Sequence, residues 1–516
     1  MTLDDIPRRN ALRFPDKAAF IMDNVQRTWR ETDERVTRLA NALAEHRVRP
    51  GDRVAVLLPN CPEYFEVYFG CARAGIIAVP LNYRLTAREL AQILVHADPS
   101  LLIVGSEYVP QITELHTLLP NLCRLWVVGD TGMAGARAYE DMLGAAGTKW
   151  LPRKVQDTDP CAIFYTSGTT GLPKGAMVSH VNLEMNGYNQ MIADRSRRDD
   201  INLVAVPAYH IAGLFMPVTY MLLGCTQVIL PKFQPALWLK TLAKTRATVS
   251  LLVPTMINTV LHDPNCGGTD FTSLRLIFYG GGPMPMSVLE QAMGTLKCSF
   301  TQGYGLTETL EATFLTADDH VPDGSDVQRA RLASAGREAV GAEVRIIDAE
   351  DKEVPQGVVG EILVKSRSVI GGYWKMPEES ARVIRGGWFH TGDVGYLDPD
   401  RYLFVVDRIK DMVISGGVNI YTKEIEGVLY QHPAVLEAAI IGLADEKWGE
   451  VVTAIVARKP DMNVTAEELV EHCRASLASY KKPRHVFFVD ELPKNPSGKI
   501  LKRELRTLFA RPPGKA

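Results

Sequence analysis

The sequence predicts an α/β protein, and three patterns carry that expectation. Strand-like and helix-like stretches alternate through residues 1–150. From residue 159 to 335, apolar runs repeatedly end in glycine-rich or polar loops, and residues 411–516 mix short helical and strand patterns as a compact α+β unit does. In chain order, residues 54–58 form an apolar run after the turn Arg49-Pro50-Gly51-Asp52. Residues 64–74 then read as a helix, and residues 76–80 as the next strand. Residues 101–104 and 125–128 repeat the theme. Runs this uniformly apolar suit a mostly parallel sheet with covering helices. Strands follow at 162–164, 203–206 and 274–279. Half-buried alternation at 343–347 and 361–364 suggests a smaller β-rich subdomain between about 336 and 406. The last unit carries helices near 422–429 and 466–478 and strands near 438–441 and 452–456.

Composition narrows the function classes. With 516 residues the chain is long enough for two or more domains, and its 57 basic and 60 acidic side chains leave a formal charge of −3. Such a balance gives no global attraction to nucleic acid or anionic lipid, so any anion binding is local. The eight cysteines are dispersed without a C-x-x-C or Cys/His cluster, which fits a reducing, cytoplasmic location and no structural zinc. The N-terminus MTLDDIPRRN lacks the apolar segment of a secretory signal. Residues 203–231 carry no charged side chain, but Pro207, Gly213, Pro217 and Gly224 break them into strand, helix and strand, the interior of an α/β domain rather than a membrane span.

Chemistry concentrates in YTSGTTGLPKGA, residues 165–176. Gly168, Gly171 and Gly175 let backbone N–H groups turn toward an anion, Thr166, Ser167, Thr169 and Thr170 add hydroxyl donors, and Lys174 supplies a mobile positive charge. This is a phosphate-holding loop. It is not the common nucleotide loop, whose lysine precedes Ser or Thr, because Gly175 stands there.

Further candidates follow in order. His210, after Pro207-Ala208-Tyr209, is by residue type a packed core histidine as readily as a catalytic one. Gly280-Gly281-Gly282 ends a predicted strand, where open α/β sheets admit ligands. In Gln302-Gly303-Tyr304-Gly305-Leu306-Thr307-Glu308, a carboxylate close to polyphosphate makes sense as a magnesium ligand, which assigns Glu308. Asp393 stands in a turn where a carboxylate caps the backbone or binds a ribose through two hydroxyls. The charged run Asp407-Arg408-Ile409-Lys410-Asp411 before Gly416-Gly417 suits a domain boundary. Tyr480-Lys481-Lys482-Pro483-Arg484 is a small basic cluster, and Lys499 follows a loop shaped by Pro496 and Gly498.

These motifs, in this order over essentially the whole chain, resemble the adenylate-forming superfamily of acyl- and aryl-CoA synthetases, luciferases and peptide-synthetase adenylation domains. The resemblance implies a large N-terminal domain, residues 1–409, of two doubly wound sheets plus the β-rich subdomain, and a small mobile α+β C-terminal domain, residues 410–516. It implies that the loop Thr166–Lys174 holds the phosphates of ATP, that Gly281, Gly282, Gln302, Gly303, Tyr304 and Thr307 surround adenine and phosphate, that Asp393 takes the ribose and that Arg408 contacts the ribose or phosphate. Thr166 joins Glu308 at Mg2+. His210 sits beside the acyl group, Lys410 is the hinge and Lys499 the catalytic lysine. Gly416 and Gly417 border the pantetheine tunnel, while Tyr480, Lys482 and Arg484 meet the phosphoadenosine of coenzyme A. One departure is Thr422, where the family usually has proline, which puts local stiffness in doubt.

The implied reaction is AMP-forming: a carboxylic acid and ATP give acyl-AMP and pyrophosphate, and coenzyme A then takes the acyl group. The motif set is nearest bacterial fatty-acyl-CoA synthetases, so a medium- or long-chain fatty acid is expected. Aryl acids, or loading of a separate carrier protein, are the alternatives, and a nucleotide-binding protein without chemistry is disfavoured by Lys499. The acid pocket is expected near 209–215, 280–283 and 306–314, mostly apolar and small. Arg195, Arg197 and Arg198 form a short basic run of the kind that touches lipid headgroups, although a solvated turn is the simpler reading. Oligomeric state is not written in the sequence, and a homodimer is compatible with it.

Overall fold

The computed structural model describes residues 1–516 except 120–123, 134, 151–153, 167–172, 283, 461, 495–499 and 511–516. Packing divides the chain into two units: Met1–Gly281 with Val288–Val344 and Val364–Phe389, and Gly282–Ser287 with Arg345–Leu363 and His390–Ala516.

The first unit is built on two sheets. One runs, edge to edge, Arg137–Ala138, Arg124–Val128, Leu101–Gly105, Arg53–Leu57, Ile77–Pro80, Pro160–Thr166 and Lys174–Ser179, seven strands among the described residues. All its pairs are parallel except the last, where Pro160–Thr166 turns back onto Lys174–Ser179. The other has nine strands among the described residues, in the order Arg337–Glu338, Leu310–Leu315, Ser299–Leu306, Leu276–Gly280, Val249–Leu252, Ile201–Val204, Thr226–Ile229, Ala18–Met22 and Val25–Thr28. Its centre is parallel and its edges antiparallel. The two N-terminal strands on this edge have no counterpart in the sequence reading, since AAFIM is short and VQRT is polar.

Alternation along each parallel strand explains the layers. Val54 and Val56 enter a core shared with Trp29, Phe65, Tyr220 and Phe278, whereas Ala55 and Leu57 enter a second core with Leu90, Ile93 and Ile112. Both strand faces are therefore dry, and the apolar runs follow. The uncharged stretch resolves into the strand Ile201–Val204, the helix Ile211–Leu222 and the strand Thr226–Ile229, all deeply packed. No described helix is long and apolar enough to cross a membrane.

In the second unit, Val435–Asp445 pairs antiparallel with Gly449–Arg458, and His485–Val489 adds in parallel. The helices Thr422–Tyr430 and Ala466–Ser476 bury Ile425, Leu429, Leu469 and Cys473 against one sheet face, and Leu505 of the helix Lys502–Phe509 covers the other.

Candidate active site

The hairpin of the first sheet carries the ends of the phosphate loop. Thr166 and Lys174 face each other across it, with Thr166 Oγ1 3.5 Å from the Lys174 carbonyl. Gly175 is required by packing: a Cβ there would fall 2.7 Å from Ile163 Cγ2. That close fit accounts for glycine where the common nucleotide loop has a hydroxyl residue. Ser167, Gly168, Thr169, Thr170 and Gly171 lie outside the described residues.

A distant segment completes this corner. Met177 N donates to the Gly372 carbonyl (3.1 Å) and Trp374 N to that of Gly175 (2.8 Å), zipping residues 372–374 along the Lys174–Ser179 strand. Tyr373 is thereby buried with its hydroxyl donating to Glu308 Oε1 at 2.8 Å, and the Lys174 ammonium lies 5.5 Å from its ring centroid. The same ammonium is ion-paired with Glu379. Arg382, and then Lys174, draw the Glu379 carboxyl down to about 2, against the opposing effect of burial. Burial, with Glu308 beside it, pushes the Tyr373 phenol up, so it remains a donor at working pH. Glu308, Tyr373, Lys174 and Glu379 thus form one alternating set of charges and donors. Tyr373 and Glu379 escaped the sequence reading, for Lys174 and Glu379 are 205 residues apart.

Glu308 itself sits at the tip of the turn between Ser299–Leu306 and Leu310–Leu315. The Thr309 hydroxyl closes that turn by accepting from Leu306 N at 2.9 Å, and Ile370 N donates to the Glu308 carbonyl at 2.9 Å. Thr307 is half-buried beside it. Gln302, Gly303 and Tyr304 lie on the Ser299–Leu306 strand, Gly303 opposite Gly280. Gly281 follows with φ +76°, and both Gly281 and Gly282 are exposed. Among the described residues no three His, Cys, Asp or Glu side chains converge to cage a metal. A magnesium ion needs no such cage, since it takes one or two carboxylates and completes its shell with phosphate and water. The hard oxygens of Glu308 and Thr166 fit that demand.

His210 is held by a separate set of contacts. It caps the helix Ile211–Leu222, its Nδ1 accepting from Ala212 N at 3.3 Å, which leaves the proton on Nε2. Burial pushes the ring down to about 4, so it is neutral at pH 7. The turn before it is gripped by Asn60, just past the strand Arg53–Leu57, and by Tyr68 of the helix Pro62–Ala74. Asn60 donates to the Val206 carbonyl (3.1 Å) and accepts from Ala208 N (2.7 Å), and Tyr68 donates to the Ala208 carbonyl (2.8 Å). Asn60 was also missed, as a lone asparagine after an apolar strand has no distinctive spacing.

The residues expected around the acid include one buried carboxylate among aromatic rings. Phe215, Phe278 and Phe314 meet edge to face, centroids 6.3 Å apart in each successive pair, but Glu311 is buried on the same side. The physical reason is a β-bulge: the register slips between Tyr304 and Gly305, pairing Gly305 with Glu311. The slip turns Glu311 onto the face of Gly303, where a regular ladder would have sent it to the opposite side.

In the second unit, Asp393 is buried and paired with Arg408, Oδ1 to Nε 2.9 Å, on facing strands. Lys410 follows in a tight turn, its pKa lowered by burial and by Arg408. Thr422 does more than stiffen the chain. Fully buried, it donates its N–H and hydroxyl (2.8 Å) to Asp407 Oδ2 and accepts from Lys502 Nζ at 2.6 Å. Proline could supply neither donor.

Trp448 joins two predicted groups. Gly416 N donates to its carbonyl at 2.8 Å, a Cβ on Gly416 would meet its ring at 2.8 Å, and the Arg484 guanidinium lies 4.7 Å from its ring centroid. Gly417 has φ +79°, Tyr480 is exposed and Lys482 half-buried. Lys499 lies outside the described residues. The flanks of its segment are paired, Lys494 with Ile500. Of the basic run Arg195, Arg197 and Arg198, Arg195 pairs with Asp318 at the surface.

Comparison with known proteins bears on the whole chain. A family model described as AMP-binding enzyme matches residues 7–374, and one for the AMP-binding enzyme C-terminal domain matches residues 424–499. A feruloyl-CoA synthase of Amycolatopsis sp is 38% identical over 98% of both chains. A fatty acid–[acyl-carrier-protein] ligase, ScoC, of Streptomyces coeruleorubidus is 36% identical over 96% of this chain and 94% of its own. Among solved structures, ATP-bound MatB from Rhodopseudomonas palustris superposes with a TM-score of 0.88 at 32% identity, covering 99% of each chain.

Proposed function

The chain belongs to the AMP-binding enzyme family, and from that premise we propose that it joins an organic acid to coenzyme A in two half-reactions run on one site. The enzyme is an AMP-forming acid–thiol ligase. The observation that carries the reading is the corner in which Lys174, Glu308 and Tyr373 meet at the mouth of the Thr166–Lys174 hairpin.

A carboxylate cannot be attacked by a thiol directly, because oxide would have to leave. In the first half-reaction a carboxylate oxygen attacks the α-phosphorus of ATP, the bond to the β,γ-diphosphate breaks and pyrophosphate departs with its electron pair. Lys174 balances charge on the phosphates, and the loop's glycines and hydroxyl residues are of the types that supply N–H and O–H donors to it. Mg2+, held by Glu308 and Thr166, would neutralise the triphosphate. His210 presents its Nε2–H as a neutral donor to the acyl carboxylate. Lys499 attends the reacting oxygens, Gly281, Gly282, Gln302, Gly303, Tyr304 and Thr307 frame the adenine and phosphates, and Asp393 with Arg408 orients the ribose.

In the second half-reaction the sulfur of coenzyme A attacks the acyl carbon, the carbon–oxygen bond to AMP breaks, and the thiol proton is released. The segment 410–516 pivots at Lys410 between the two, withdrawing Lys499 and bringing up Gly416 and Gly417, with Tyr480, Lys482 and Arg484 toward the phosphoadenosine. Trp448 supports that surface through its contacts with Gly416 and Arg484.

For the acid, an aryl chain now has a specific observation in its favour over the expected fatty acid: the Phe215, Phe278 and Phe314 rings stand edge to face beside Gly303. The feruloyl-CoA synthase relative supports that choice, and the ScoC relative keeps the fatty acid and the carrier-protein acceptor in view. The test is coenzyme A-dependent AMP release across a panel of aryl and aliphatic acids, with a free carrier protein as competing acceptor. Release with coenzyme A and at least one acid supports the ligase. Release only with the carrier would overturn the acceptor.

A further inference from the structure

One buried group near Gly303 has no role in the mechanism above. Glu311 is 7% exposed, and its Oε2 has no hydrogen-bond partner among the described residues. Its position is well fixed. A Cβ built on Gly303 would lie 2.5 Å from Glu311 Oε2 and 2.5 Å from Phe278 Cζ, so only the missing side chain of glycine leaves the carboxyl room beside the strand that carries Gln302 and Tyr304. Asn186, fully buried on the helix His180–Asp194, fixes the Glu311 backbone by accepting its N–H at 2.9 Å. The Asn186 Nδ2 is likewise without a partner.

Two buried polar ends without partners are costly, because each has given up water without replacement. Burial, and then the neighbouring Asp194, push the Glu311 carboxyl well above the usual carboxylate range, so it is neutral around pH 7 and able both to donate and to accept. The bulge that turns Glu311 inward also places Leu310 at φ +50°, a conformation unfavourable for leucine. The local backbone is thus shaped around a carboxyl whose Oε2 nothing described in the protein satisfies, next to Phe278 of the three edge-to-face rings.

We infer that Glu311 sets acid specificity: it receives a hydroxyl or N–H group carried at the end of the acid remote from the reacting carboxylate. The assignment rests on the reading that the acid lies along the Phe215, Phe278 and Phe314 wall. A plain hydrocarbon or unsubstituted ring entering there would leave the Glu311 oxygen unpaired, whereas a terminal hydroxyl donates to it. A site built to pair a substrate hydroxyl discriminates strongly against the analogue lacking it, while an apolar site does not.

Matched acids decide the matter: 4-hydroxycinnamate against cinnamate, and 12-hydroxydodecanoate against dodecanoate, each assayed for kcat/KM with the full-length enzyme. The wild type should favour the hydroxylated member of at least one pair by about tenfold or more. Glu311→Gln, which still accepts a hydrogen bond, should keep the preference, and Glu311→Leu should erase it by weakening the hydroxylated acid and improving the plain one. A wild-type ratio near one in both pairs would overturn the inference, even if Glu311→Leu fails to fold. So would a preference that survives Glu311→Leu unchanged. If no acid is adenylated, the ligase reading falls, and the inference is judged separately by calorimetry of the acids alone, where the hydroxylated partner must again bind about tenfold tighter.

Discussion

At the residue scale, Lys174 shows how a mobile charge is kept ready. In the structure its ammonium rests on Glu379 and over the Tyr373 ring, a position from which a triphosphate must draw it. Glu379, held ionised by Arg382 and Lys174, both competes for that ammonium and repels phosphate. Glu379→Gln should therefore lower the KM for ATP, by about three- to tenfold. Steady-state kinetics at saturating acid measure it, and a rise in KM would mean that Glu379 positions Lys174 instead. The loop itself was readable because its glycines, hydroxyl residues and lysine are contiguous in the chain. Tyr373 and Glu379 were not, because they reach the loop through pairing of residues 372–374 with a strand far back in the chain. Trp448, Asn60 and Glu311 share that fate: each acts through a partner that folding, not sequence, brings near.

At the element scale, the parallel strands were legible because both faces are dry, which leaves uninterrupted apolar runs. The strand ends shifted by up to four residues, and the edge pair Ala18–Met22 and Val25–Thr28 stayed hidden because an edge strand can be polar. Thr422 also required the fold. It begins the helix Thr422–Tyr430, a position where proline is sterically welcome, yet its N–H and hydroxyl both serve the buried Asp407. Thr422→Pro should destabilise the second unit by about 2–4 kcal/mol, since a buried carboxylate loses two donors. Denaturant melts followed by Trp448 fluorescence would show it. An unchanged midpoint would mean that solvent reaches Asp407 freely.

At the scale of the whole molecule, buried titratable groups give stability a pH dependence of two signs. His180 and His210 are pushed by burial down to about 4, so between there and the ordinary histidine value of 6.5 the unfolded chain binds more protons and stability rises with pH. Asp194 and Glu311 are pushed up, chiefly by burial, to about 7 and about 8 from model-peptide values of 3.8 and 4.5. Across that window the native state holds more protons, so their contribution falls as pH rises and is lost above it. Gln190, Tyr220 and the Arg275–Asp200 pair surround Asp194 and moderate the effect. The melting temperature should decline from pH 6 to pH 8.5, and Asp194→Asn with Glu311→Gln should flatten that decline. A wild-type curve flat over this range would contradict the assignment.

Both sheets and the hairpin corner converge on one chemical claim, that the molecule makes an organic acid reactive by joining it to AMP. Exchange of labelled pyrophosphate into ATP reads that step alone, without coenzyme A. Exchange that requires an acid and magnesium, and that vanishes in Lys499→Ala, is the predicted result. Exchange at background with every acid, or release of ADP and phosphate in its place, would contradict the account.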